Sequence, residues 1–289
     1  MKTLLLRPAR LRAYLDLVRF EHTLFALPFA YAGMLLAAGG WPGWHDLAWI
    51  TVAMVGARTA AMALNRLIDA ELDAANARTA DRELPRGVLR RGDALALALL
   101  GFALLVLAGW ALNELTRNLL PLAALALALY SYTKRFTWLC HLWLGATIGA
   151  AAAGGWIGVT GSFSLAAVLL WLGVGLWVAG FDVIYGILDV EFDRGNGIHS
   201  IPARFGEKMA MAISGGMHAL AWLALTLLLS VTPLGWPYAL ALVAVGTVLI
   251  RANVLVRRRG AGAALAAFNA NLYVSSLVLL GVGVDVLSR

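Results

Sequence analysis

Long apolar runs separated by short polar segments dominate the pattern of this chain. The runs cover residues 20–38, 46–66, 94–111, 119–133, 139–159, 163–184, 209–230, 233–254 and 261–284. Several approach or exceed the roughly 18 to 20 residues that a helix needs to cross about 30 Å of hydrocarbon. They are rich in Leu and Ala and far longer than strands, so no sheet reading fits. The pattern predicts an all-α membrane protein, a bundle of nine transmembrane helices around a central cavity, with residues 1–289 forming one integral membrane domain. Turn signals separate the runs, as in Gly39-Gly40-Trp41-Pro42-Gly43-Trp44. The two cap segments, near 67–93 and 186–208, are expected to cover one face, the first with short helices around 76–83. Pro8 limits an early helix, so residues 1–19 read as an interfacial lead-in. No short run ends in a convincing cleavage site, which argues against a signal peptide.

Composition agrees with the pattern. At 61% hydrophobic and 13% charged, with a mean hydropathy of +0.79, the chain is too apolar for an ordinary soluble domain. Charge adds orientation. With the N-terminus cytoplasmic and the C-terminus on the opposite side, all of the 23 basic residues except Arg58, Arg117 and Arg289 fall on the cytoplasmic face. The net charge of +7 is then a topology signal and a contact with membrane lipid, and nucleic acid is not needed to explain it. The single cysteine, Cys140, excludes an intrachain disulfide and a cysteine-rich metal site.

The chemistry sits where polar residues keep helical spacing. Arg58, Asn65, Asp69 and Asp73 follow one another at seven, four and four, which puts them on one stripe if the second helix continues past the membrane boundary. Asp182, Asp189 and Asp193 repeat the seven-and-four spacing at the end of the sixth run. Carboxylates grouped in this way repel unless positive charge shares the site. Oxygen-only ligands suit a hard divalent cation, and Mg²⁺ is preferred because phosphates commonly complete its shell. Arg66, Arg78, Arg82, Lys134, Arg135 and Arg204 lie on the same face and could grip diphosphate oxygens. The expected ligand is a metal-bound diphosphate in a lipid-accessible cavity. A transporter would place its charges near mid-membrane on broken helices, whereas these acidic rows sit near one face. A non-catalytic lipid-binding protein would bind no Mg²⁺ together with a diphosphate.

The string Asn65-Arg66-x-x-Asp69-x-x-x-Asp73-x-x-Asn76-x-Arg78-Thr79-x-x-Arg82-x-Leu84-Pro85-x-Gly87 resembles the first signature of the UbiA-type intramembrane aromatic prenyltransferases. Asp182-x-x-Tyr185-x-x-x-Asp189-x-x-x-Asp193 looks like their second signature, and Tyr132-Thr133-Lys134-Arg135-x-Thr137 resembles the basic segment between them. The resemblance spans nearly the whole chain. It implies transfer of a polyprenyl group from polyprenyl diphosphate to an aromatic carboxylic acid in quinone biosynthesis. Asn65, Asp69, Asp73, Asp189 and Asp193 would hold Mg²⁺, and Arg66, Arg78, Arg82, Lys134 and Arg135 would contact the diphosphate. Asp182 and Tyr185 would orient the acceptor or stabilise the allylic cation. Arg19, His22 and His199 are the candidates for binding the acceptor. The strings around His22 and His199 look most like the 4-hydroxybenzoate branch, which includes a menaquinone-pathway relative acting on a dihydroxynaphthoate. His199 stands where many of the hydroxybenzoate enzymes have lysine, which tilts the expected acceptor toward 1,4-dihydroxy-6-naphthoate.

Overall fold

The computed structural model describes the backbone of residues 8–289 and the side chains from Arg10 onward, apart from those of residues 20–25. The helices in chain order are α1 (Pro8–Leu17), α2 (Phe20–Ala38), α3 (Trp44–Ala75), α4 (Arg91–Leu112), α5 (Glu114–Thr133) and α6 (Cys140–Thr160). They continue as α7 (Leu165–Gly186), α8 (Val190–Gly195), α9 (Ile201–Val231), α10 (Trp236–Arg259), α11 (Ala264–Ala270) and α12 (Leu272–Leu287). Among the described residues, seven helical segments are long and apolar enough to cross a membrane. The chain is an all-α, multi-pass membrane protein. The apolar part of α2, Ala26–Ala38, is shorter, and α5 carries Glu114, Arg117 and Pro121.

Four expectations need correction. Pro8 opens α1, because a first-turn proline gives up only an N–H that has no helical partner. Ala13, Leu17 and Val18 of this lead-in pack on Ala63, Leu89, Ala94 and Ala98. The segment around 76–83 forms successive hydrogen-bonded turns, since Pro85 and the left-handed Gly87 (φ 69°) interrupt any regular helix. The last apolar run is broken at Asn271 into α11 and α12. There the Asn271 side chain turns inward, accepting from the buried Trp177 indole at 2.9 Å and donating to the Ala267 carbonyl at 2.8 Å. The seven-and-four spacing after Asp182 does not stay on one helix either. A 3-10 turn, Ile187–Asp189, separates α7 from α8.

By contrast α3 runs unbroken for 32 residues, about 48 Å at 1.5 Å per residue. It extends well beyond its apolar stretch, and the Thr79 hydroxyl donates to the Asp73 carbonyl at 3.0 Å to close its end. Glycines bring neighbouring helices into backbone contact. A methyl group added at Gly33 of α2 would lie 2.2 Å from the Ala152 carbonyl oxygen of α6, and one at Gly155 would lie 2.0 Å from that of Ala30. Gly101 against Ala60 joins α4 to α3, and Gly145 against Gly175 joins α6 to α7, in the same way. The largest apolar core surrounds Phe29, Trp177 and Tyr238. An elongated cavity lies between the helices.

Candidate active site

The cavity has a volume of about 1100 Å³. One end is polar, lined by Asp69, Asp73, Asp182, Asp189 and Asp193; the other is apolar, lined by Leu112, Leu119, Leu120 and Phe163. Thr116 and Lys134 mark the two ends along α5, about 27 Å apart by helix rise. The space is therefore as long as the hydrocarbon layer is thick.

The first cluster takes its geometry from α3. Asn65 and Asp69 are one turn apart, and the Asn65 amide donates to Asp69 Oδ2 at 2.7 Å. Lys134 Nζ donates to the same oxygen at 2.6 Å, and Arg135 lies 3.1 Å from Oδ1. One turn further on, Arg82 donates to Asp73 Oδ1 at 2.7 Å, and Arg66 lies 3.9 Å from Oδ2. Asp69 is 1% exposed and Arg66 3%. Burial on this scale is tolerated because each carboxylate has a cation beside it. Asp69 Oδ1 and Asp73 Oδ2 nonetheless remain buried without a hydrogen bond.

The second cluster is spread by the 3-10 turn. Arg78 from the cap grips Asp189 with two nitrogens, Nε at 2.9 Å, while its Nη1 donates to the Tyr185 hydroxyl at 2.8 Å. Asn76 also donates to Asp189, at 3.0 Å. Burial alone would lower the pKa of Arg78, but the hydrogen bonds and charge of Asp189 outweigh it and raise the pKa above the usual guanidinium value. Asp193 accepts from the Ser200 hydroxyl at 2.7 Å, and Asp182 pairs with His141 at 2.7 Å. The two clusters are thus joined through the cap: Arg78 and Asn76 leave the end of α3 and close on the turn after α7.

The other candidates divide. Arg19 lines the cavity and, among the described residues, is the only non-glycine with positive φ (47°), a strained conformation of the kind that collects at functional sites. The side chain of His22 lies outside the described residues. His199 is exposed and does not line the cavity; its backbone donates to the Lys134 carbonyl at 2.7 Å and accepts from the Cys140 thiol at 3.3 Å. Arg135 reaches Asp69 from behind, with Nη1 and Nη2 also on the Ser131 and Ile68 carbonyls. Arg204 stacks over Trp138 and Phe205 instead of facing the cavity.

Among the described residues, no three acidic or histidine side chains converge closely enough to hold a metal by themselves. The oxygens of Asp69 and Asp73 that lack a hydrogen bond are nevertheless hard donors one helical turn apart. They fit a hard cation whose shell is completed by phosphate and water, the usual habit of Mg²⁺.

A model of the UbiA prenyltransferase family matches residues 26–277. The chain belongs to the UbiA prenyltransferase family. This UbiA family member is 31% identical over 285 residues to 4-hydroxybenzoate octaprenyltransferase of Marinobacter nauticus, covering 96% of this chain and 95% of that protein. It is 36% identical to a UbiA homolog from Aeropyrum pernix K1 whose apo structure is known, with a TM-score of 0.85 over 92% of this chain and 98% of that one. A UbiA homolog from Archaeoglobus fulgidus bound to DMAPP and Mg²⁺ shares the fold at 16% identity, with a TM-score of 0.75 over 95% and 99% of the two chains.

Two features of this UbiA site were not assigned from sequence. Arg58 lines the cavity seven residues before Asn65, and among the described residues its Nε is buried without a partner. Its place on the polar stripe was visible, its isolation was not. The second feature is an aromatic ladder: Tyr185 meets Phe268 at 4.8 Å, Phe268 meets Phe181 at 5.4 Å, and Phe181 meets Trp177 at 4.9 Å between ring centroids. All four rings line the cavity. Phe268 joins them because α11 stops at Asn271, so the break held by Trp177 places a ring in the wall.

Proposed function

We propose that this protein transfers a polyprenyl group from polyprenyl diphosphate to an aromatic acid, in an Mg²⁺-dependent reaction of quinone biosynthesis. The observation that carries the reading is the union of two carboxylate clusters at one end of a long apolar cavity. The cap residues then sit where a diphosphate would lie, and the isoprenoid tail has the apolar part of a cavity about 27 Å long to follow. Asn65, Asp69, Asp73, Asp189 and Asp193 would hold Mg²⁺. Bound there, the cation would neutralise charge developing on the departing diphosphate. The relative bound to DMAPP and Mg²⁺ supports that assignment.

Arg66, Arg78, Arg82, Lys134 and Arg135 surround the same point. Arg78, Arg82 and Lys134, which line the cavity, can each move donors from an aspartate to a diphosphate oxygen, so that negative charge on the leaving group is met as it forms, while Arg135 supports Asp69 from behind. The rings of Tyr185, Phe268, Phe181 and Trp177 present π faces to the allylic cation, and the dry cavity keeps water from capturing it. Arg58 lies eleven residues, about 16 Å of helix, below Asp69. Its Nε is buried without a hydrogen bond, which is costly, and the carboxylate of an aromatic acid would satisfy it. Arg19, with His22 and His199 as further candidates, would guide the acceptor in from the cytoplasmic side.

The relatives named 4-hydroxybenzoate octaprenyltransferase favour 4-hydroxybenzoate as acceptor. His199 is exposed and does not line the cavity, so its identity does not select 1,4-dihydroxy-6-naphthoate. The architecture that goes with this function is one domain of nine spans over residues 1–289, with α2 and α5 completing the seven long apolar segments. Its N-terminus is cytoplasmic, its C-terminus lies on the opposite side, and the 67–93 and 186–208 segments form the cytoplasmic cap.

The experiment is product mass and diphosphate release from the purified protein with octaprenyl diphosphate and Mg²⁺, comparing the two acceptors. Prenylated 4-hydroxybenzoate that vanishes on chelation is expected. Turnover only with the naphthoate would change the acceptor, and no transfer to either would reject the reading.

A further inference from the structure

Five aspartates line the cavity, and four of them have their partners accounted for by donor binding. Asp69, Asp73 and Asp189 are paired with lysine or arginine, and Asp193 with the Ser200 hydroxyl. Asp182 is different. It stands about 10 Å of helix deeper than Asp189, between the diphosphate end and Arg58, and its only partner among the described residues is His141.

His141 is itself fully engaged. It is 4% exposed, at the start of α6. Its Nε2 lies 3.3 Å from the Ile201 backbone nitrogen at the start of α9. A backbone N–H can only donate, so Nε2 is an acceptor and carries no proton. The ring proton is therefore on Nδ1 and is donated to Asp182 Oδ2 at 2.7 Å. The ring is also wedged sterically. A methyl group added at Gly186 would lie 3.2 Å from its Cε1 and 3.4 Å from Pro202. The consequence is a carboxyl group held rigidly by one oxygen, with Oδ1 free of protein donors among the described residues, at the level where the acceptor ring would lie.

We infer that His141 positions Asp182 to receive the proton that the acceptor ring loses when the prenyl group is attached. The inference rests on the prenyl-transfer reading above. Attack of the ring on the allylic carbon forms the new carbon–carbon bond, releases diphosphate and leaves a cationic ring with a tetrahedral carbon still bearing hydrogen. That C–H bond then breaks, its electron pair restores the aromatic ring, and the proton passes to Asp182 Oδ1, to be given to water when product leaves. His141 acts through Asp182 and touches no reacting atom, so it is a positioning residue.

The test uses the full chain in detergent with the acceptor deuterated at the ring carbon that is prenylated. In the wild type, proton loss follows the slow step, and the isotope effect on kcat is expected to be about 1. His141→Leu removes the donor. It should lower kcat about 100-fold, the usual contribution of a placed proton acceptor, and raise the isotope effect to about 3 with KM for both substrates little changed. His141→Asn puts an amide N–H close to the place of Nδ1 and should restore kcat to within about threefold, with the isotope effect again near 1. An isotope effect unmoved in His141→Leu, or His141→Asn as impaired as His141→Leu in a protein that melts like the wild type, overturns the inference and leaves prenyl transfer standing. A wild type that transfers no prenyl group defeats both.

Discussion

The two acidic clusters share a spacing and differ in how it is built. Asp69 and Asp73 sit on a single unbroken helix, so four residues in sequence become one turn in space. Asp182, Asp189 and Asp193 cross a 3-10 turn, and each faces a different element: His141 on α6, Arg78 in the first cap segment and Ser200 before α9. The first cluster is a rigid pair of carboxylates. The second is a junction at which the two halves of the chain meet. A repeated spacing therefore does not carry a repeated geometry.

Three substitutions probe this contrast, in decreasing order of effect. Asp69→Asn keeps the shape of the rigid cluster and removes one charge. On the proposed mechanism it should reduce kcat about 10³-fold, read as diphosphate release at saturating Mg²⁺. A loss under tenfold would remove Asp69 from the site. Arg78→Met cuts the junction, freeing Asp189 and the Tyr185 hydroxyl together. We expect kcat/KM for the prenyl diphosphate to fall about 30-fold, and an effect confined to KM of the aromatic acid would contradict the bridging role. Thr79→Val deletes the hydrogen bond to the Asp73 carbonyl at 3.0 Å together with the longer one to the Asn76 carbonyl at 3.5 Å. Its expected cost is about 1 kcal/mol of stability in a thermal melt, with activity of the folded protein near wild type. A large activity loss there would show the end of α3 to be less rigid than the first cluster requires.

Much of this could be read from the chain before its fold was known, for identifiable reasons. Apolar runs of membrane length follow from the solvent, so most helix ends were legible to within a few residues, whereas α3 continues to Ala75 and α9 begins at Ile201, each well inside a segment expected to be cap. The Asn65, Asp69 and Asp73 stripe was readable because α3 keeps its period past the apolar stretch. The 3-10 turn at Ile187–Asp189 was not, since Gly186 and its neighbours have the same hydropathy in either helix type. The break at Asn271 was hidden in the same way: one asparagine in an apolar run becomes a break only because Trp177, 94 positions earlier, offers it an indole N–H. Partner choice escaped as well. Nothing in sequence says that Lys134 reaches Asp69 while Arg204 lies on Trp138.

The glycine contacts that bring the helices together have a mechanical side. Where α2 meets α6, α3 meets α4 and α6 meets α7, backbone touches backbone, and there are no side chains to rearrange. Those seams behave like riveted staves. Helix α5 has no glycine, carries Pro121, and is held through side chains: Leu120 packs on Gly109 of α4, and the Trp143 indole of α6 bonds to the Ala126 carbonyl at 3.2 Å. A riveted barrel gives most easily where side chains do the holding, and α5, which borders the cavity, is such a stave. If the cavity must widen for a bulky ligand, α5 is a wall that can yield.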